Sequence, residues 1–98
     1  MSRFQELIDS DIPLLVDFSA EWCGPCKILA PELKKFAGHM RDRLRVIKVD
    51  VDKNPQVAMH YQVQSVPTLI LFRKGRQLWR RSGAMSVSQL SSAIEPLL

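Results

Sequence analysis

Two cysteines separated by two residues, at the junction between an apolar run and an amphipathic run, constrain this chain most strongly. The motif Trp22–Lys27 (WCGPCK) follows the apolar run 14–18 and precedes an amphipathic segment that extends to about Met40. This pattern predicts a strand, then a helix that begins at the motif. Unpaired N–H groups and the helix dipole at such a helix start favour a thiolate at Cys23. Because the thiolate attacks in thiol–disulfide exchange, the motif indicates a redox-active dithiol.

Two other uses of the cysteine pair have to be weighed. A purely structural disulfide would close so short a loop that it adds little chain-entropy stabilisation. A zinc site needs about four ligands. The remaining candidates, His39 and His60, lie far apart in the sequence and outside the usual spacing. The redox interpretation is therefore favoured over both.

Helical and strand patterns alternate along the rest of the chain. Ser86 and Gln89 have the spacing of a capping box, which predicts the start of the last helix. Asn54 before Pro55 predicts the N-cap of a shorter one. The predicted helices cover 4–8, the motif to 40, 54–61 and 86–97, and the predicted strands cover 14–18, 46–51, 68–72 and 77–81. The apolar side chains expected to face inward from the last helix are Val87, Leu90, Ala93, Ile94 and Leu97.

This order of elements predicts an α/β fold. The first two strands should be parallel and joined by a right-handed crossover. The last two should form an antiparallel hairpin across the turn Lys74–Arg76. The strand 14–18 is apolar almost throughout, which suits a central strand covered on both faces. We therefore expect a mixed sheet with helices on both faces.

Bulk composition is that of an ordinary globular protein. The chain has 98 residues, of which 46% are hydrophobic and 24% charged, and this length predicts one domain over residues 1–98. Both cysteines lie in one motif, so none remains for a separate disulfide framework. Neither a signal-peptide pattern nor a stretch of membrane-spanning length is present. A cytoplasmic, reducing location is the expectation that follows.

The net charge of +4 raises the question of nucleic-acid binding. Basic residues cluster in two segments, 41–45 and 73–81. Trp79 is the one aromatic residue within them, fewer than a stacking platform would require, and no basic recognition helix is apparent. We interpret these clusters as solvated surface charge, with steering towards an acidic partner protein as the alternative.

Several segments together resemble the thioredoxin family. The hexapeptide WCGPCK is preceded by Val16–Glu21, and Val66-Pro67-Thr68 follows some forty residues later, before an apolar run and Lys74–Gly75. The resemblance covers nearly the whole chain, from about residue 4 to residue 98. It implies a thioredoxin fold and no cofactor other than the redox-active disulfide. Ser19 departs from the family, in which many members carry an aromatic residue there.

A second departure concerns the sheet. Family members usually begin with an extra strand, and the few residues before Phe4 cannot supply it. The resemblance therefore implies a fold reduced to four strands, with the strand 46–51 left at an edge. Lys48 and the arginines near the start of this strand would discourage edge-to-edge pairing.

The two cysteines are expected to have different roles. Cys23 precedes the helix, so it should be the more exposed thiol and the nucleophile. Cys26, one turn into the helix, should resolve the mixed disulfide in an intramolecular step. Trp22 either packs against its neighbours or forms a flat apolar platform beside Cys23, and the two are compatible. The dipeptide Gly24-Pro25 resembles that of the reducing members of the family.

Asp17 is a carboxylate in an otherwise apolar strand. Burial would be costly and would raise its pKa. From the sequence alone, a partly exposed or hydrogen-bonded Asp near a strand end and a functional Asp are equally reasonable. The resemblance favours function, because the family has an Asp beneath the second cysteine that takes its proton. Lys48 matches the family's lysine near that Asp, with a solvated edge-strand lysine as the alternative.

The resemblance also assigns a substrate-binding rim. It implies a cis bond before Pro67, which would turn the Val66 backbone towards the cysteines and offer its N–H and C=O to an extended substrate. Gly83 and Ala84 match the loop that completes this rim, where a missing side chain allows close approach.

The function that these features imply is reduction of protein disulfides through a mixed-disulfide intermediate. The implied partners are disulfide-containing target proteins and a flavin-containing, NADPH-dependent thioredoxin reductase. We expect a monomer that binds neither nucleic acid nor membrane. The rival hypothesis is an interaction or chaperone module in which the dithiol is incidental.

Overall fold

The computed structural model describes residues 3–98, which form four α-helices and four β-strands. In chain order they are α1 (Arg3–Ile8), β1 (Leu14–Ser19), α2 (Gly24–Met40), β2 (Arg45–Asp50), α3 (Pro55–His60), β3 (Thr68–Arg73), β4 (Arg76–Ser82) and α4 (Val87–Ile94). Short 3₁₀ turns follow α2 over Arg41–Arg43 and α4 over Glu95–Leu97. Each predicted element is present, with ends that differ by a few residues at most.

One mixed sheet with strand order β2-β1-β3-β4 carries the fold. β1 runs parallel to β2 and antiparallel to β3, and β3 and β4 form the antiparallel hairpin. The predicted α/β class, the four-stranded sheet and the edge position of β2 are confirmed. All six residues of β1 are buried, as expected of a central strand that is covered on both faces.

Two apolar clusters cover the sheet. On one face, α2 and α4 pack Leu29, Phe36 and Leu90 against Leu15 and Leu71 of the strands. The cluster on the other face includes Ile8 of α1 and the strand residues Val16, Phe18, Ile70 and Phe72, with Phe4, Val57 and Tyr61 packed against it. Residues of β1 alternate between the two clusters because successive side chains of a strand point to opposite faces.

The turn between β3 and β4 also holds α1 in place. Lys74 and Gly75 have positive φ angles of 52° and 80°, which such a tight hairpin turn requires. Their amides donate to the carbonyls of Ser10 and Ile8, at 3.0 and 2.8 Å. A Cβ on Gly75 would lie 2.8 Å from Asp9 Oδ1. Glycine is therefore favoured at this position for its conformation, since the exposed Asp9 side chain can move away from an added Cβ.

One expectation about helix ends was wrong, whereas the predicted N-cap residue of α3 was confirmed. Leu97 does not pack inward but is 39% exposed, because α4 ends at Ile94 and a 3₁₀ turn redirects the chain. Asn54 occupies the N-cap of α3 without a side-chain capping bond. Its side chain instead donates to the carbonyl of Asp50. The capping box of Ser86 and Gln89 is present as predicted.

Candidate active site

The cysteine pair lies where β1 gives way to α2. Cys23 is the N-cap of α2, and its backbone is extended with φ −87° and ψ 113°. Its Sγ accepts a hydrogen bond from the amide of Cys26 at 3.1 Å. A disulfide joins the two residues, whose Cα atoms are 5.3 Å apart. Pro25 in the first turn removes no intrahelical hydrogen bond, since first-turn amides have no partner in the helix. The sulfur of Cys23 therefore lies at the N-terminus of α2, where it accepts from the Cys26 amide and faces the positive end of the helix dipole.

The expectation that Cys23 is the more exposed cysteine was wrong. Both cysteines are buried, with relative exposures of 3% for Cys23 and 4% for Cys26. They form a small apolar cluster with Ala20, against which Val51 and Val66 pack. These neighbours come from segments distant in the chain, so position relative to the helix could not reveal them. Any asymmetry between the cysteines rests on the helix terminus and not on exposure.

Trp22 projects from the surface beside the disulfide. It is 71% exposed, and its Nε1 donates to Asp52 Oδ2 at 2.8 Å. It borders a cavity of about 120 Å³ together with Val66 and residues of the loop before it. A wider cleft of about 630 Å³ shares Val51 and Val63 with this cavity and continues to Met59. Gly24 and Pro25, which follow Cys23, are exposed.

The loop around Pro67 contacts the disulfide cluster through Val66. The Val66–Pro67 peptide bond is cis, as predicted. Within residues 3–98, neither the amide nor the carbonyl of Val66 has a hydrogen-bond partner. The carbonyl of Pro67 accepts from the amide of Gly83 at 2.9 Å. Gly83 has φ 98° and open space where a Cβ would lie, and Ala84 is exposed.

Asp17 is a buried carboxyl group, only 2% exposed. Its Oδ1 has no hydrogen-bond partner among the described residues. Burial raises the pKa of Asp17 from 3.8 to about 6, and the charge of Lys48 opposes part of that rise. The two residues are paired in the β1–β2 register and line a cavity of about 170 Å³. Lys48 itself is exposed, so it acts on Asp17 from the solvent side.

The predicted residues therefore fall into two groups. Trp22, both cysteines, Val66 and the Gly83 loop meet at one end of the sheet, whereas Asp17 and Lys48 share a cavity beside it. The cysteines are not among the residues that line that cavity.

Sequence inspection missed the side chains that hold the loop 61–65, which precedes the cis bond. Arg80 donates to the carbonyls of Tyr61 and Gln62, where Gln62 has a φ of 54°. Thr68 Oγ1 donates to the carbonyl of Ser65 at 2.7 Å. Both arrangements join segments distant in sequence, and no local pattern indicates them.

Other kinds of site find no support in the described part of the chain. No group of three or more His, Cys, Asp or Glu side chains among residues 3–98 could hold a metal ion. None of the helices in this range is long and apolar enough to cross a membrane.

The fold and the disulfide define a class of protein. A Cys-x-x-Cys disulfide at the start of a helix, on a mixed sheet with an X–cis-Pro loop beside it, is the arrangement of a thiol–disulfide oxidoreductase. The redox group is the disulfide itself.

Comparison with known proteins identifies the family. The Thioredoxin family model matches residues 1–96. Thioredoxin 1 of Nostoc sp. is 44% identical over 91 residues, which are 93% of this chain and 85% of that protein. The crystal structure of oxidized mitochondrial thioredoxin 3 from Saccharomyces cerevisiae matches with a TM-score of 0.85 at 35% identity, covering 95% of this chain and 86% of that one. The chain belongs to the thioredoxin family.

One relative carries a second activity in its name. The bifunctional thioredoxin reductase/thioredoxin of Mycobacterium leprae is 47% identical over 89 residues. These residues are 91% of this chain and 19% of that protein.

Proposed function

We propose that residues 1–98 form one thioredoxin domain that carries electrons to protein disulfides. The observation that carries this proposal is the Cys23–Cys26 disulfide at the N-terminus of α2, with the Cys26 amide aimed at Cys23 Sγ. In the reduced protein the same amide and the dipole of α2 stabilise negative charge on that sulfur. The thiolate form of Cys23, which is the attacking species, is favoured as a result.

In the first step, the thiolate of Cys23 attacks one sulfur of a target disulfide. A bond forms between Cys23 and the target, and the target's second sulfur leaves as a thiolate. Cys23 is the attacking residue because its sulfur lies at the end of the helix. Cys26 follows one turn later, within the helix.

In the second step, Cys26 attacks Cys23 Sγ and breaks the mixed disulfide. The target leaves with both sulfurs reduced, and the chain returns to the Cys23–Cys26 disulfide, so two electrons have passed to the target. Cys26 must lose a proton to attack. Asp17 is the base that takes it through water, because a carboxyl group with a pKa of about 6 is largely ionised at neutral pH yet basic enough to accept a proton. Lys48 limits the rise of that pKa.

Targets bind at the rim of the disulfide. The free N–H and C=O of Val66 pair with an extended target segment, as in strand addition. Trp22 supplies an apolar platform on one side, and Gly83 and Ala84 allow close approach of the target backbone on the other. Gly24 and Pro25 place little side chain in front of Cys23, so a target can approach its sulfur. Pro67 lies beneath the bound segment. The cleft that continues to Met59 accommodates target side chains.

Electrons enter from a flavin-containing, NADPH-dependent thioredoxin reductase. The fusion of the two activities in the Mycobacterium leprae relative supports a reductase partner. We further propose a monomer in the cytoplasm, where such a reductase keeps dithiols reduced.

The test couples NADPH oxidation to insulin reduction in the presence of a thioredoxin reductase. The wild type should turn over many times, and a Cys23→Ser/Cys26→Ser variant should be inactive. If a wild-type protein with two titratable thiols reduced insulin no faster than that variant, even with DTT as the reductant, the rival interaction module would be favoured.

A further inference from the structure

The outer edge of β2 presents main-chain groups without a partner. The amide of Arg45 donates to Pro13 and that of Val51 to Ser19, both at 2.9 Å. In a parallel ladder the residues that face the neighbouring strand alternate with those that face away. The N–H and C=O groups of Val46 and Lys48 therefore point outward. No strand lies beyond β2 among residues 3–98, so these four groups form an open edge.

The edge at β4 differs in its regularity. Its ladder with β3 has a register shift between Leu71 and Phe72, and such a bulge bends a strand and hinders further pairing. β2 pairs with β1 in unbroken register over all six residues. Val46 and Ile47 of β2 are only partly buried, which leaves apolar surface beside the outward groups.

Positive charge surrounds the start of this edge. Arg41 and Arg45 are exposed, and neither has an ion pair within the described residues. Arg43 between them is paired with Glu95, and the exposed Asp42 offsets one of the two unpaired arginines, which leaves a net positive charge together with Lys48. If the β2 strands of two copies paired, the positive charges of both copies would lie along one ladder. Their repulsion makes such pairing unfavourable. A strand with negative side chains would instead gain from the same charges.

We propose that the β2 edge binds an extended acidic segment of a partner protein by strand addition. The segment pairs with the N–H and C=O groups of Val46 and Lys48, and its carboxylates lie near Arg41 and Arg45. Val46 and Lys48 also line the Asp17 cavity, whereas Val66 does not, so a segment bound here leaves the Val66 rim open to a disulfide elsewhere on the partner.

The experiment uses a capped octapeptide of alternating glutamate and valine as the probe. Amide hydrogen exchange in the free protein should be at least tenfold faster at Val46 and Lys48 than at Ile47 and Val49, whose amides bond to β1. Saturating peptide should slow exchange at Val46 and Lys48 about tenfold or more. A peptide of the same sequence, N-methylated at alternate residues, keeps the charge but cannot form the ladder, and it should not protect these amides.

Charge variants test whether Arg41 and Arg45 attract the acidic side chains of the segment. Arg41→Gln/Arg45→Gln should weaken peptide binding about fivefold, since each exposed pair contributes a fraction of a kcal/mol. The matched control Arg76→Gln/Arg81→Gln changes the net charge equally on β4 and should leave binding unchanged. Insulin reduction should be unaffected in both.

Three results would overturn the proposal. The first is protection that appears at Trp22 and Val66 instead of at β2. The second is equal binding of the N-methylated peptide. The third is a dimer in sedimentation velocity in which a second copy protects Val46 and Lys48.

Discussion

Replacing Asp17 by asparagine should stabilise the folded protein at neutral pH but not at acidic pH. Burial raises the pKa of Asp17 in the folded state from 3.8 to about 6. Between these values the native state binds more protons than the unfolded state, so the free energy of unfolding falls as pH rises through this window. Above about pH 7 the loss is complete. A difference of this size corresponds to about 3 kcal/mol.

Asparagine keeps the volume of the side chain and removes the charge. At pH 4 the wild-type carboxyl is protonated in the folded state and about half protonated in the unfolded state, so the stabilities of Asp17→Asn and wild type should differ by less than about 1 kcal/mol. At pH 8 the free energy of unfolding of the variant should be higher by up to about 3 kcal/mol. The cost of burying an amide without a hydrogen-bond partner reduces this gain. Urea unfolding of the oxidised proteins at pH 4 and pH 8 measures both values.

The control is Asp42→Asn, which removes an exposed carboxylate and should change stability little at either pH. A stability difference between Asp17→Asn and wild type that is the same at pH 4 and pH 8 would refute the reasoning, as would no difference at pH 8. In stopped-flow kinetics the variant should resolve mixed disulfides about tenfold or more slowly near neutral pH, with less effect on the first attack. An unchanged resolution rate would reduce Asp17 to a structural residue.

Three further outcomes are expected. Cys26→Ser should accumulate mixed disulfides with target proteins on non-reducing gels while Cys23→Ser traps none; preferential alkylation of Cys26 at mildly acidic pH in the reduced wild type would reverse the roles. Arg80→Met should lower the free energy of unfolding by about 1–2 kcal/mol, because two carbonyls lose a charged donor, and equal loss in Arg81→Met would show that the bonds of Arg80 are not the cause. Gly75→Ala should lower the free energy of unfolding by about 1–2 kcal/mol because alanine is strained at its positive φ, and an unchanged urea midpoint would contradict this.

Local pattern was enough to predict the elements and the centre of the site. Strand and helix periods are properties of neighbouring residues, so β1, α2 and the hairpin were predicted within a few residues. Both cysteines lie in one hexapeptide, and their chemistry depends on the helix start that the same segment forms. The resemblance carried by Val66-Pro67-Thr68 extended this to the cis bond.

Tertiary structure alone decided how each of these groups is solvated. Cys23 is as buried as Cys26 because Val51 and Val66, distant in the chain, pack against it. Asp17 was ambiguous in the sequence, and the sheet and α2 made it a buried carboxyl group with a raised pKa. The hydrogen bonds of Arg80 and the outward groups of β2 likewise depend on which strands become neighbours. Burial, pKa and unpaired edges are set by contacts between distant segments, whereas the order of elements and the dithiol motif are written in consecutive residues.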